Sequence, residues 1–135
     1  MKKIYVLDTN ILMQSPRALF GFADNDIYLP TTVIRELDKH KTDSGERGYN
    51  TREVIRMLED LRRSYVATHA AGEEIKGIEM PNGGTLHIAE SEIDHPDFLP
   101  RGLGFSYDIP DMRIIGAVYK LTKENTEPVI LVTND

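Results

Sequence analysis

A chain of 135 residues, 40% hydrophobic and 28% charged, fits one folded domain and excludes the low-apolar composition of disordered segments. The absence of cysteine excludes disulfides, thiolate metal sites and a cysteine nucleophile, and Asp8 and Asn10 interrupt the first apolar run too early for a signal or membrane segment, so a cytoplasmic protein is expected. A formal net charge of −6 argues against general polyanion binding and confines any nucleic-acid role to a local patch, such as the basic residues between Arg35 and Arg63.

Ile4-Tyr5-Val6-Leu7 is apolar, β-branched or aromatic, and too short for a helix, which predicts a strand buried on both faces. Asn10 is the expected N-cap of a short helix from Ile11, and Pro16 opens a further turn through Phe20. Ile27-Tyr28-Leu29 reads as a second strand. Thr31 or Thr32 then caps a helix that carries Val33, Ile34 and Leu37 on one face and contains Glu36. Thr42 through Asn50 has loop composition. Thr51 is the expected cap of a helix with Val54, Leu58 and Leu61 on its apolar side, ending near Ser64. Asn82-Gly83-Gly84 predicts a hairpin turn between residues 78–80 and 85–88, and Ser91 to Tyr107 reads as an irregular loop. Order returns near Asp108, where Pro110 suits a first helical turn and Ile114, Ile115, Val118 and Leu121 form an apolar stripe. Val129-Ile130-Leu131-Val132 is the last buried strand. Strands alternating with helices predict a three-layer α/β fold with a mainly parallel central sheet.

Two of these strands end alike, in Asp8-Thr9-Asn10 and in Thr133-Asn134-Asp135, so each places an Asp at a carboxyl end. Ligands of open parallel sheets bind outside those ends, and Glu36 and Asp111 lie on helices that can reach the same crevice. Carboxylates gathered in one crevice repel one another unless a cation neutralises them. Ligands that are all oxygen favour Mg²⁺ or Mn²⁺ over zinc, and such ions share carboxylates with substrate phosphates.

Asp8-Thr9-Asn10 after a buried strand, Val33-Ile34-Arg35-Glu36-Leu37, Asp111-Met112-Arg113-Ile114-Ile115 and Val132-Thr133-Asn134-Asp135 together resemble the acidic motifs of PIN-domain ribonucleases. Arg47-Gly48-Tyr49-Asn50-Thr51-Arg52-Glu53 and Pro81-Asn82-Gly83-Gly84-Thr85-Leu86 are most similar to the amino-terminal PIN domain of PhoH-like ATPases. The resemblance implies a PIN-like α/β/α fold over residues 1–135. It also implies a pocket for Mg²⁺ or Mn²⁺ built from Asp8, Glu36, Asp111 and Asp135. The implied reaction is metal-dependent hydrolysis of single-stranded RNA, leaving a 5′ phosphate and a 3′ hydroxyl. Thr9, Asn10 and Thr133 are candidate orienting residues, with Thr9 beside Asp8 and Thr133 near Asp135; Arg47 and Arg52 are candidates to meet RNA phosphates. PhoH-like proteins continue into an ATPase domain, yet the sequence holds no Gly-x-x-x-x-Gly-Lys-Ser/Thr loop, so the chain is expected to be the nuclease portion of a longer protein. A homo-oligomer is compatible with the sequence.

Plainer readings compete at each position. Asp at a strand end often caps a turn, a helical Glu is usually solvated, and Asp108 is an alternative to Asp111, one as cap and the other as ligand. Arg52, Arg56 and Arg63 share a helical stripe with Glu59 that suits a solvated charge network. His40, His69, His87 and His95 lack metal-ligand spacing and receive no catalytic role. Among rival functions, a phosphatase with an Asp nucleophile wants a second Asp where Asn10 stands. A non-cleaving RNA-binding or regulatory domain attached to a PhoH-like ATPase is the principal alternative, followed by the nuclease half of a toxin–antitoxin pair.

Overall fold

Val6 and Leu7 are neighbours on β1 (Ile4–Leu7) and so point to opposite sides of the sheet, yet neither exposes any surface. Both sides of the sheet are therefore covered at this strand, as its unbroken apolar sequence predicts. The computed structural model describes residues 2–68, 77–88 and 110–133, with the backbone alone at 110–112. After β1 come α1 (Thr9–Gln14), a 3₁₀ helix (Pro16–Phe20), β2 (Asp26–Leu29), α2 (Thr31–His40) and α3 (Gly45–Thr68). The short strand β3 (Ile78–Glu79) and β4 (Thr85–Ile88) follow, then α4 (Pro110–Glu124) and β5 (Val129–Val132).

The strands lie in the order β3-β4-β2-β1-β5, and every pairing is parallel except the β3–β4 hairpin at one edge. This is the α/β class with a mainly parallel central sheet that the alternating pattern predicts. The chain steps from β1 to β2 to β4 in one direction, then crosses back to place β5 on the far side of β1. The carboxyl ends of β1 and β5 thus flank the point where the winding reverses, which is where open α/β sheets form a ligand crevice. Leu7 pairs with Val132, and the Asp8 amide donates to the Val132 carbonyl at 3.0 Å, so the two strand ends are held level.

Leu12, Leu19, Ile27, Leu29, Val33 and Val54 join β1 in one core, each fully buried. Each such side chain contributes on the order of 1.5–3 kcal/mol by leaving water. On α4, Ile114, Ala117 and Leu121 face that core, with Val118 half-buried against it, while Ile115 is 36% exposed and lies off the expected stripe.

Three helix starts differ from expectation. The first begins at Thr9, with Asp8 in the N-cap position, so Asn10 is an interior residue rather than the cap. Helix α2 begins at Thr31 after Pro30. Residues 45–50 are helical rather than loop, and α3 runs on to Thr68 beyond the expected end near Ser64. The Thr51 hydroxyl does not cap; it donates to the Arg47 carbonyl one turn earlier at 2.7 Å, a bond open only to a residue already inside a helix. What extends the helix is tertiary: Asn50 is buried and its amide donates to the Met13 carbonyl at 2.9 Å, tying the first turns of α3 to α1. The predicted hairpin forms, with Gly83 at φ 86° and the Gly83 amide donating to the Met80 carbonyl at 3.1 Å. The 91–107 loop, Asp108, His69 and His95 fall outside the described residues. On α3 Arg56 pairs with Glu53 and Arg63 with Asp60, each within its own turn, so among the described residues the expected network through Glu59 is replaced by separate pairs.

Candidate metal centre

Asp8 stands where β1 gives way to α1 and is only 6% exposed. A side chain in an N-cap position ordinarily accepts the amide of the second or third helical residue, here Asn10 or Ile11; Asp8 does not. Its Oδ2 instead accepts a hydrogen bond from the Thr133 hydroxyl at 2.9 Å, across the ends of β1 and β5. No cation pairs with this carboxylate among the described residues. A carboxylate on a largely buried residue at the strand ends, bonded by one hydroxyl among the described residues, keeps an oxygen available to a cation. That environment suits a hard divalent ion.

Adjacency in the sequence predicts that Thr133 orients Asp135; the bond described goes to Asp8. Thr9 is buried, and its hydroxyl has no hydrogen-bond partner among the described residues, so the expected bond from Thr9 to Asp8 is not made. Replacing Thr133 by Val keeps the shape and removes the donor. The expected result is a 10- to 100-fold weaker apparent Mn²⁺ affinity by calorimetric titration, the usual order for loss of a group that orients a ligand. An unchanged affinity would show that Asp8 is positioned by its backbone alone.

Glu36 lies in the middle of α2, which packs against both α1 and α4. Its Oε2 is 3.6 Å from Nε2 of His40 one turn later, and His40 Nδ1 lies 2.8 Å from Asp43 Oδ2. His40 thereby connects a predicted site residue to the corner that follows α2, although sequence reading gave it no part. The i, i+4 spacing of Glu36 and His40 was the available signal. Asp111 occupies the first turn of α4, but its side chain is not described, and Asp135 lies outside the described residues. Among the described residues no three His, Asp or Glu side chains stand close enough to hold an ion together.

The two arginines predicted to meet phosphates are placed differently. Arg52 donates to the carbonyls of Lys41 at 2.9 Å and Asp43 at 3.2 Å, clamping the end of α2. The Arg47 guanidinium is exposed, has no partner among the described residues, and lines a cleft of about 370 Å³ with Asn10, Met13, Gln14, Glu46 and Asn50. Away from these groups, burial first and the Asp26 carboxylate second raise the Tyr28 phenol above its ordinary value, leaving it a neutral ring stacked on His87.

A model of the PIN domain family matches residues 5–135. The chain is 37% identical over 140 aligned positions to protein PhoH2 of Bacillus subtilis, covering all of this chain and 29% of that protein. Protein PhoH2 of Mycolicibacterium smegmatis is 33% identical over 134 positions, and that of Thermobispora bispora 34% over 136; each match covers 98% of this chain and 28% of the relative. The chain thus spans less than a third of the length of these curated relatives.

Proposed function

The chain belongs to the PIN domain family, and we propose that it is a divalent-metal-dependent endoribonuclease that hydrolyses single-stranded RNA. Proteins of this family are typically metal-dependent nucleases that use Mg²⁺ or Mn²⁺. The observation that carries the reading here is the Asp8 carboxylate: buried, at the reversal point of a parallel sheet, bonded to Thr133, and without a cationic partner among the described residues.

In this reading Asp8, Glu36, Asp111 and Asp135 hold the ion. A bound divalent ion supplies Lewis acidity toward the phosphoryl oxygens and the departing 3′ oxygen. Asp8 anchors it from the strand end, and the Thr133 hydroxyl fixes which oxygen of Asp8 is free. Glu36 approaches from α2, with His40 Nε2 3.6 Å from its Oε2. Arg47 lies toward Asn10 and receives the RNA backbone. Arg52 does so only by giving up its carbonyl partners, so the proposal places phosphate recognition mainly on Arg47. RNA in preference to DNA rests on the family resemblance.

A further part of the proposal is that residues 1–135 form one nuclease domain of a longer protein, which the lengths of the PhoH2 relatives support, and that the remainder is a PhoH-like ATPase domain, which rests on the family resemblance. No helix among the described residues is long and apolar enough to cross a membrane, which is compatible with the cytoplasmic site proposed. Incubation with end-labelled single-stranded RNA tests the activity. Internal cuts that appear with Mg²⁺ or Mn²⁺ and vanish with chelator are expected. No cutting by either this chain or a longer one would favour a non-cleaving regulatory domain.

A further inference from the structure

Between α1, the 3₁₀ helix and the first half of α3 lies a cleft of about 920 Å³. It shares Gln14, Glu46 and Asn50 with the smaller cleft beside Asn10, so the two form one groove leading away from the residues that follow Asp8. In this groove Tyr49 is 59% exposed, although it sits between buried Gly48 and buried Asn50. An aromatic ring left open beside half-buried Phe20 and Met57 offers a flat apolar platform with a polar rim.

We propose that this groove is a nucleobase subsite for single-stranded RNA, in which one base stacks on Tyr49 and the flanking phosphates meet Arg17 and Arg47. The assignment rests on the RNase reading and names where that substrate's unpaired base goes. Aromatic rings bind unpaired bases without needing a sequence, because every base has a π face. Arg17 and Arg47 are exposed at the groove, and neither guanidinium has a partner among the described residues, whereas Arg56 is occupied by Glu53. The interior is unsuited to a phosphate, since Glu46 lines it. It suits a base edge: the Asn50 amide nitrogen is bonded to Met13, which leaves its carbonyl oxygen and the Glu46 carboxylate as acceptors for an exocyclic amine. A cleft of this volume falls in the range of small-ligand sites and holds a nucleoside with room for its backbone.

The test measures binding of a fluorescein-labelled ten-nucleotide oligo(rA) by anisotropy in chelator, where cutting does not intervene, across a salt series. Tyr49→Ala is expected to weaken binding by roughly 5- to 150-fold, the range for loss of one stacked base, with the salt slope unchanged. Tyr49→Phe keeps the platform and is expected to bind like the parent chain. Arg17→Ala and Arg47→Ala are each expected to lower the salt slope by about 0.7, the value for one phosphate on a single strand. Tyr49 is exposed, so its replacement leaves the core intact. If Tyr49→Ala binds as tightly as the parent chain while that chain still cuts RNA with metal, the subsite is wrong and the nuclease stands. If the parent chain neither binds nor cuts RNA, both fall.

Discussion

Asp8→Asn is expected to lower metal-dependent RNA cleavage by about a thousandfold, while the protein without metal becomes no less stable. The two halves follow from one feature, a residue that is 6% exposed and whose carboxylate is bonded, among the described residues, by the Thr133 hydroxyl. A metal ion contributes several kcal/mol of transition-state charge stabilisation, and about 4 kcal/mol corresponds to a thousandfold in rate. Asparagine keeps the volume and one acceptor oxygen for Thr133 but carries no charge to fix the ion. Without metal the same exchange removes a buried charge that lacks a cationic partner among the described residues, so the apo fold is relieved rather than harmed. Metal should raise the stability of the parent chain by mass action, by about 2.7 kcal/mol at a hundredfold excess over Kd. For a domain of this size that is on the order of 10 °C in Tm. Thermal denaturation with and without Mn²⁺ therefore separates the explanations. Loss of activity with loss of the metal-induced shift supports Asp8 as a ligand. Loss of activity with the shift retained would move Asp8 from metal binding to another role, and retained activity would remove it from the centre.

The position of Asp8 was legible in the sequence: Ile4-Tyr5-Val6-Leu7 reads as a strand covered on both faces, which puts Asp8 at a carboxyl end of the sheet. The run from Val129 to Val132 read as a second strand buried on both faces, but β5 is an edge strand of the sheet, with Ile130 36% exposed and no residue fully buried, and its pairing with β1 was not read. What could not be read was the partner of each hydroxyl. Thr133 bonds across the strand ends to Asp8, a pairing 125 residues apart that no local rule supplies. Arg52 carries the same ambiguity, because a guanidinium beside a helix end satisfies carbonyls as readily as phosphates, and here Lys41 and Asp43 are nearer. The start of α3 was misread because Gly45 and Gly48 look like loop punctuation. The helix continues through them because Asn50 binds α1, a contact made only after folding. Tyr49 belonged to the same misread stretch, so its exposure at a groove was hidden as well.

Gly48→Ala is expected to lower stability by about 3 kcal/mol, against the direction of helix propensity and at the upper end of what forced packing typically costs. Alanine should favour the interior of an exposed helix by about 1 kcal/mol over glycine. At Gly48, however, the added Cβ would lie 1.7 Å from the carbonyl oxygen of Asp43 and 2.5 Å from its carbonyl carbon. Both are backbone atoms, so no side chain can swing aside. Either the start of α3 moves or the corner after α2 does. The corner is also where Arg52 is clamped and where Asp43 meets His40, so relief at one point breaks bonds at another. Gly45 supplies the contrast. It has open space around its missing Cβ but φ of +76°, so Gly45→Ala should cost only the roughly 1–2 kcal/mol of a left-handed backbone. Urea denaturation of the two variants reads the difference directly, with equal m-values and the lower midpoint for Gly48→Ala. The reverse order would mean that α3 does not press on Asp43, and the positions of Tyr49 and Asn50 in the groove would lose their support.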